Sequence, residues 1–475
     1  MRVRTHLIPA AILIVGGLTA AAQEKKPAHE LEARVDARVE LLSLIFRLAG
    51  SPEYNQPNAK SPYTDEVDAQ FGKFRDHAVV RLARELRAQH GVSYDAVMSM
   101  AVHLEDTQGL KPKLPLAPRP ARLDERWPTK QAGEFLEQAR SFVKEAGFNE
   151  FVGQHRQQYD VAAERLTRKL AERDYVGWFE KFFGARPGAR FHVILSLLNG
   201  PCNYGVGVRY PDDREEITPI IGASKFDDNG VPVFSDADVS TIAHEFCHSY
   251  TNPFVDKYAK QLAPASESLF KHCESTMREQ AYGTWKTMMY ESLVRACVVR
   301  YVKAAEGKKA ADDEARSNEK RGFRWTGKLA ELLGEYETQR ERYATFDAFM
   351  PRVVEFFNDY AKESGESAAR APKVVRMIPA NGATDVDPAL TEIKVFFDRP
   401  MTDKAWSVVG GGPHYPESAG DVSYDAEHKV FTMPVHLKAA WSYQFWLNHG
   451  KFNSFQSADG VELESVEVNF RTRGE

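Results

Sequence analysis

The hydrophobic periodicity of the chain changes at Lys362–Pro372 (KESGESAARAP), and no single fold class accommodates both sides of that stretch. Before it, apolar residues recur at the three-to-four spacing of an amphipathic helix; beyond it, short apolar runs alternate with Gly, Pro, Asn and Asp turns. Glu30–Leu48 presents Leu31, Val35, Val39, Leu42, Ile45 and Leu48 on one face, with Gly50 as a stop. Asp65–Gln89 repeats the pattern through Val67, Phe71, Phe74, Val79, Leu82 and Leu86. The proline-rich stretch Lys111–Pro120 interrupts it, and it resumes over Thr129–Phe183. After the turn Arg186-Pro187-Gly188, strands are expected at Phe191–Leu198, Tyr204–Tyr210, Ile217–Ile221 and Val231–Phe234. Helices follow at about 235–250, 280–305 and 325–360, with a solvated, charged break over 306–321. On the far side, Val374–Arg376, Ile393–Phe397, Val422–Tyr424, Val430–Met433, Ser442–Leu447 and Val466–Phe470 read as the strands of a small β-sandwich. The expected class is therefore α+β: a mostly helical domain with a small mixed sheet over 28–361 (helical part about 28–185, second part about 186–361), a linker over 362–372, and an all-β domain over 373–475.

The helix after the small sheet carries His244-Glu245-Phe246-Cys247-His248. Ser235, with Asp238 three residues on, gives it a capping-box start, and Asn252-Pro253 is expected to end it near Tyr250. Side chains four apart lie on one helical face, so both imidazoles can reach one Zn²⁺ at about 2.0–2.1 Å. Glu245 projects to one side, where it can take a proton from a water without being a ligand. Val239, Ile242, Ala243, Phe246, Cys247 and Tyr250 form the apolar face, and the two histidines fall opposite, beside Thr241. The plain alternative is two histidines on a solvated face.

A catalytic zinc needs a third protein ligand. After His248 the chain reads SYTNPF, with no downstream His at metzincin spacing. Glu291 is the best candidate, because it sits in Met288–Ala296, a helix apolar nearly all round, where a carboxylate needs a partner. That partner is a metal, or Arg295 four residues on, or both, with Arg295 orienting the ligand. His272, Glu274, Glu267 and Asp256 compete for the role. Tyr282, Tyr290, His272 and Arg295 are open choices for an oxyanion donor. The run Leu197–Gly205 (LNGPCNYG after Leu197) is either an ordinary strand–turn–strand or a Gly-rich edge at which an extended substrate adds a strand.

Arg2 and Arg4, the short apolar run Leu7–Leu18 and Ala20-Ala21-Ala22 read as a cleaved secretory signal over 1–22, with the mature chain starting near Gln23 in the periplasm or outside the cell. The net charge of −5 offers no basic field for nucleic acid. Cys202, Cys247, Cys273 and Cys297 form no CxxC pair, and the sequence does not say whether they form disulfides.

Taken together, VELLSLIFRLAGSPEYN (39–55), HEFCHSYTNP (244–253) and YESLVRA (290–296) resemble a family of exported bacterial proteins catalogued as a domain of unknown function, itself similar to the gluzincins, the HExxH-plus-Glu zinc peptidases. That resemblance covers roughly 34–360. It implies Zn²⁺ held by His244, His248 and Glu291, with Glu245 as general base, and carries over no substrate; a peptide or protein substrate is expected from the site itself, since a metal-activated water with a general base hydrolyses an amide. Separately, RMIPANGATDVDPALTEIKVFFDRPM (376–401) resembles the bacterial Ig-like domain of surface-layer and other envelope proteins, which implies cell-envelope association through a β-sandwich. The expectation is a zinc metallopeptidase. The contrasting one is a non-catalytic envelope-binding protein with a vestigial metal site and an adhesive Ig-like domain.

Overall fold

The computed structural model describes residues 31–449 and 452–474. The signal segment expected over 1–22 and the start near Gln23 lie outside the described residues. Within them the chain is α+β, and no helix is long and apolar enough to cross a membrane.

The first part runs β1 (Ala33–Val35), α1 (Ala37–Leu48), α2 (Pro62–Phe71), α3 (Ala78–His90), α4 (Asp95–Val102), α5 (Thr129–Ala146), α6 (Phe148–Gln154), α7 (Arg156–Leu170) and α8 (Tyr175–Phe183). The helix expected from Glu30 gives up its first turn to β1, and Asp36 caps α1 by accepting the Arg38 N–H. The single helix expected over Asp65–Gln89 is two, broken after Phe71. The helical periodicity expected over Thr129–Phe183 is carried by four helices; α5, for example, stops at Gly147, which takes the left-handed conformation (φ +68°). In each case the apolar period resumes after the break, so periodicity alone does not reveal it.

A five-stranded sheet follows, built from β2 (Ala189–Phe191), β3 (Val193–Ser196), β4 (Tyr204–Arg209) and β5 (Glu215–Gly222) together with β1. β1, β3 and β5 are parallel, β2 also pairs parallel with β5, and β4 pairs antiparallel with β5 alone. β4 is thus an edge strand. The strand expected over Phe191–Leu198 is interrupted at His192. Val231–Phe234 is not a strand; it follows a turn in which Asp227 Oδ1 accepts the N–H groups of Asn229 and Val231.

The remaining helices are α9 (Asp236–Lys257), α10 (Ala259–Glu279), α11 (Trp285–Glu306), α12 (Lys308–Lys320), α13 (Thr326–Thr338) and α14 (Phe346–Arg370). Ser235 begins α9 as expected, its N–H and Oγ donating to the Asp238 carboxylate at 2.5 and 2.8 Å. Pro253 does not end it. The N–H that proline lacks would have bonded the Ser249 carbonyl, and Arg186 Nη1 donates to that oxygen instead at 3.3 Å. The solvated break expected over 306–321 is largely α12, which buries Ala311, Ala315 and Asn318 at helical spacing. The linker expected over 362–372 continues α14 to Arg370, in keeping with helix formers such as Lys362, Glu363 and Glu366.

The last part holds β6 (Val374–Ile378), β7 (Glu392–Phe397), β8 (Val408–Val409), β9 (Glu417–Ser418), β10 (Ser423–Tyr424), β11 (Val430–His436), β12 (Ser442–Leu447) and β13 (Val466–Arg471). One sheet is ordered β10-β11-β7-β6 with β9 on β11, the other β13-β12-β8. Strict in–out alternation along β7 and β11 buries Ile393, Val395, Phe397, Phe431, Met433 and Val435. They join Phe445, Leu447, Val468 and Phe470 in a core of their own.

Candidate metal centre

α9 presents two faces. Ile242, Ala243, Phe246, Cys247 and Tyr250 are each fully buried. Phe246 packs near Tyr175 and Phe191, and Tyr250 stacks on Phe179 with ring centroids 5.1 Å apart. The opposite face turns His244 and His248 toward α11. Their rings lie 4.9 Å apart at 78°.

Glu291 of α11 completes the group. His244 Nε2 is 3.4 Å from Glu291 Oε2, and His248 Nε2 is 3.4 Å from Glu291 Oε1. One ligand atom from each of the three residues lies within 4.8 Å of the others. Two ligands bound about 2.0–2.1 Å from one ion at the tetrahedral angle are about 3.3–3.4 Å apart, and each imidazole nitrogen lies at that distance from a different oxygen of the Glu291 carboxylate. His248 Nδ1 lies 3.2 Å from Asn252 Oδ1, so in the neutral imidazole the proton sits on Nδ1 and Nε2 is the atom available to a metal. The donor set therefore fits a divalent cation.

The ion pair weighed for Glu291 is present and leaves its other oxygen directed at His248. Arg295 Nη2 donates to Glu291 Oε2 at 2.8 Å, while Oε1 faces His248. Arg295 is itself buried and held by Asn318 Oδ1 (2.5 Å), the Tyr282 hydroxyl (3.0 Å) and the face of Phe323 (4.5 Å). We expect Arg295→Met to weaken zinc binding about 10–100-fold, the usual effect of losing a group that orients a ligand. Competition against a chromophoric chelator checks this.

Burial and the Glu291 carboxylate act in opposite directions on the ionisable groups here. Burial disfavours charge on every group here. It lowers His244 to about 4, against the pull of Glu291. At His248 burial is overcome by the Glu291 carboxylate, by Glu245 and by Asn252, and the imidazole is raised to about 9. Glu291 is held well below the usual carboxylate range, since the two imidazoles outweigh its burial. Glu245 is 7% exposed. Burial pushes it up to about 7, with His248 and Arg295 opposing and Glu291 adding to the rise. A carboxylate poised there is suited to accept a proton near neutrality.

The competing ligands stay apart from this group. His272 is exposed on α10 with Nδ1 on the Ser268 carbonyl, Glu267 is exposed, and Glu274 pairs with Arg278. Asp256 pairs with Lys286 and accepts the Tyr290 hydroxyl. The four cysteines are free thiols. Asn252 escapes sequence reasoning, since it reads there as a helix terminator. Gly205, at the end of the Gly-rich run, makes its close approach to α9: a Cβ at that position would lie 2.4 Å from the Glu245 carbonyl oxygen and 2.9 Å from His248 Cβ.

No curated protein matches the chain at a significant level. Three solved structures are similar in part. The crystal structure of CopC from Methylosinus trichosporium OB3b is 14% identical over 22% of this chain and 95% of its own, with a TM-score of 0.17. Domains 1–6 of the surface layer protein SbsC are 18% identical over 49% of this chain and 33% of theirs (TM-score 0.16). The S-layer protein rSbsC(31-844) is 13% identical over 84% and 46% respectively (TM-score 0.17). Scores this low carry no argument. A family profile, by contrast, matches residues 31–356, well over half of the chain and the whole of the metal centre, and the protein belongs to that family, the domain of unknown function DUF4932.

Proposed function

We propose that this protein is an exported zinc-dependent hydrolase, a peptidase of gluzincin type, with an Ig-like β-sandwich as an envelope-facing module. The observation that carries the reading is the convergence of His244 Nε2, His248 Nε2 and the Glu291 carboxylate, with one ligand atom from each within 4.8 Å of the others and buried Glu245 in the same helix. Zinc bound there supplies a Lewis acid that polarises the scissile carbonyl and brings the pKa of its water to about 7. Glu245 takes the proton of the attacking water and delivers it to the leaving amine, so no covalent intermediate on the protein is needed.

Of the four groups considered as oxyanion donor, the geometry favours Tyr282. Its hydroxyl accepts from the same Arg295 nitrogen that holds Glu291, which sets it beside the triad with its own proton unspent. The Tyr290 hydroxyl donates to Asp256, Arg295 is spent on Glu291 and Asn318, and His272 is exposed on α10. A peptide adding to the unpaired edge of β4 would run past His248, because Gly205 brings that strand against α9.

The test is metal analysis and an unbiased peptide library on the purified chain. About one zinc per chain is expected, with cleavage that is lost on chelation and restored by zinc. Full zinc content with no peptide cleaved would contradict the peptidase reading.

A further inference from the structure

The segment Val39–Asn55 carries buried polar residues that the metal centre does not touch. Glu40 is fully buried. Its Oε1 accepts from Ser196 Oγ at 2.8 Å and the Leu197 N–H at 2.9 Å. Its Oε2 accepts from the Tyr63 hydroxyl at 3.1 Å, which in turn is 2.6 Å from the Tyr159 hydroxyl. Ser43, on the same face of α1, is also fully buried and donates to Asn199 Oδ1 at 2.8 Å. A buried carboxylate is tolerated only when its lone pairs are satisfied, and Glu40 satisfies its own largely on one target. Ser196, Leu197 and Asn199 all lie where β3 ends and the loop to β4 begins.

The other side of that loop is equally tied. Asn203 Oδ1 accepts the Gly222 N–H at 3.0 Å. Gly222 packs so closely that a Cβ there would lie 2.1 Å from the Gly200 carbonyl oxygen and 2.6 Å from that of Cys202. The loop then feeds directly into β4 and Gly205, the residue against the Glu245 carbonyl and His248 Cβ. A continuous set of short contacts therefore runs from α1, through residues 196–203, to the helix that bears both histidines.

We propose that Glu40 is a positioning residue for the metal centre: by clamping residues 196–203 it sets where β4 lies against α9, and so where the edge of β4 passes His248. Only the catalytic readout of this role rests on the hydrolase reading. Ser43 assists through Asn199.

The experiment compares full-length Glu40→Gln, Glu40→Leu and Ser43→Ala by hydrogen exchange with mass spectrometry, zinc affinity and, where the wild type cleaves peptides, KM and kcat. In Glu40→Gln the amide oxygen still accepts from Ser196 and Leu197, and the amide nitrogen can donate to the Tyr63 oxygen. It should therefore stay within about twofold of wild type in every readout. Glu40→Leu should speed exchange about tenfold or more over 197–209 while 129–146, which holds no member of the Glu40 network, is unchanged. It should also raise KM with kcat largely kept, as expected when ground-state alignment is lost. Ser43→Ala should give a smaller rise confined to the same amides, which keeps the test decisive if Glu40→Leu fails to fold. Faster exchange spread evenly over the domain, or unchanged exchange over 197–209 in both Leu and Ala variants, overturns the proposal. If the wild type cleaves nothing, the hydrolase reading fails while the exchange data still decide the role of Glu40.

Discussion

Glu245→Gln is expected to lower turnover about 10²–10⁴-fold, the range that general base catalysis contributes, while zinc content stays at the wild-type level. The reasoning is geometric. The Glu245 carboxylate lies between His244 and His248 in sequence, outside the group of three that can share an ion. Gln preserves its volume and cannot accept the proton. Removing the charge also removes a buried carboxylate that already resists ionisation, having been raised to about 7 chiefly by burial, so the fold should not suffer. Paired zinc analysis and steady-state kinetics on wild type and variant check this. A loss of zinc in the variant would place Glu245 among the ligands instead, and unchanged turnover would remove it from the chemistry.

Glu291→Ala should produce the second large effect, in two separable parts. Zinc binding is lost, because two imidazoles alone leave the site one protein ligand short. Stability also falls by about 3–5 kcal/mol, the usual result of stripping one partner from a buried ion pair. Arg295, 5% exposed, is then left without its carboxylate. The stability part has a definite pH signature. Glu291 is held well below the usual carboxylate range in the fold, so it contributes stability that is present above the unfolded value and lost as pH falls through the folded one. The gap between wild type and variant should therefore close in acid. Adding Arg295→Met to Glu291→Ala should recover part of the stability and none of the zinc binding. Urea melts at several pH values, with zinc analysis on the same samples, separate the two parts.

The candidate site was legible where a residue's chemistry conflicted with its surroundings or matched a helical interval. His244 and His248 fall on the face opposite five fully buried apolar residues, and that phase can be counted along the chain. Glu291 stood out as a carboxylate in an apolar helix. Features that depend on distant partners were not legible. Pro253 reads as a helix end, and only Arg186, far away in sequence, supplies the donor that lets α9 continue. Asn318 lies in a stretch so charged that it reads as solvated, yet its side chain holds Arg295. Gly72 and Gly147 interrupt helices whose apolar period resumes unchanged on the far side, so the breaks hide inside a continuous pattern. β4 reads as a strand from its own residues, but its place at the sheet edge against the motif helix is a property of the whole topology. In the C-terminal part β7, β11 and β12 alternate and are bounded by turn residues, so such strands were readable one by one, whereas the two-residue strands β8 and β9 and the division between two sheets were not.

X-ray absorption at the zinc edge of the purified protein tests the central claim most directly, because it reports the identity and distance of the atoms around the ion. Two imidazole nitrogens and carboxylate or water oxygen at about 2.0–2.1 Å are predicted, with zinc uptake lost in His248→Ala. Sulfur at about 2.3 Å, or a folded chain that takes up no zinc, would contradict it.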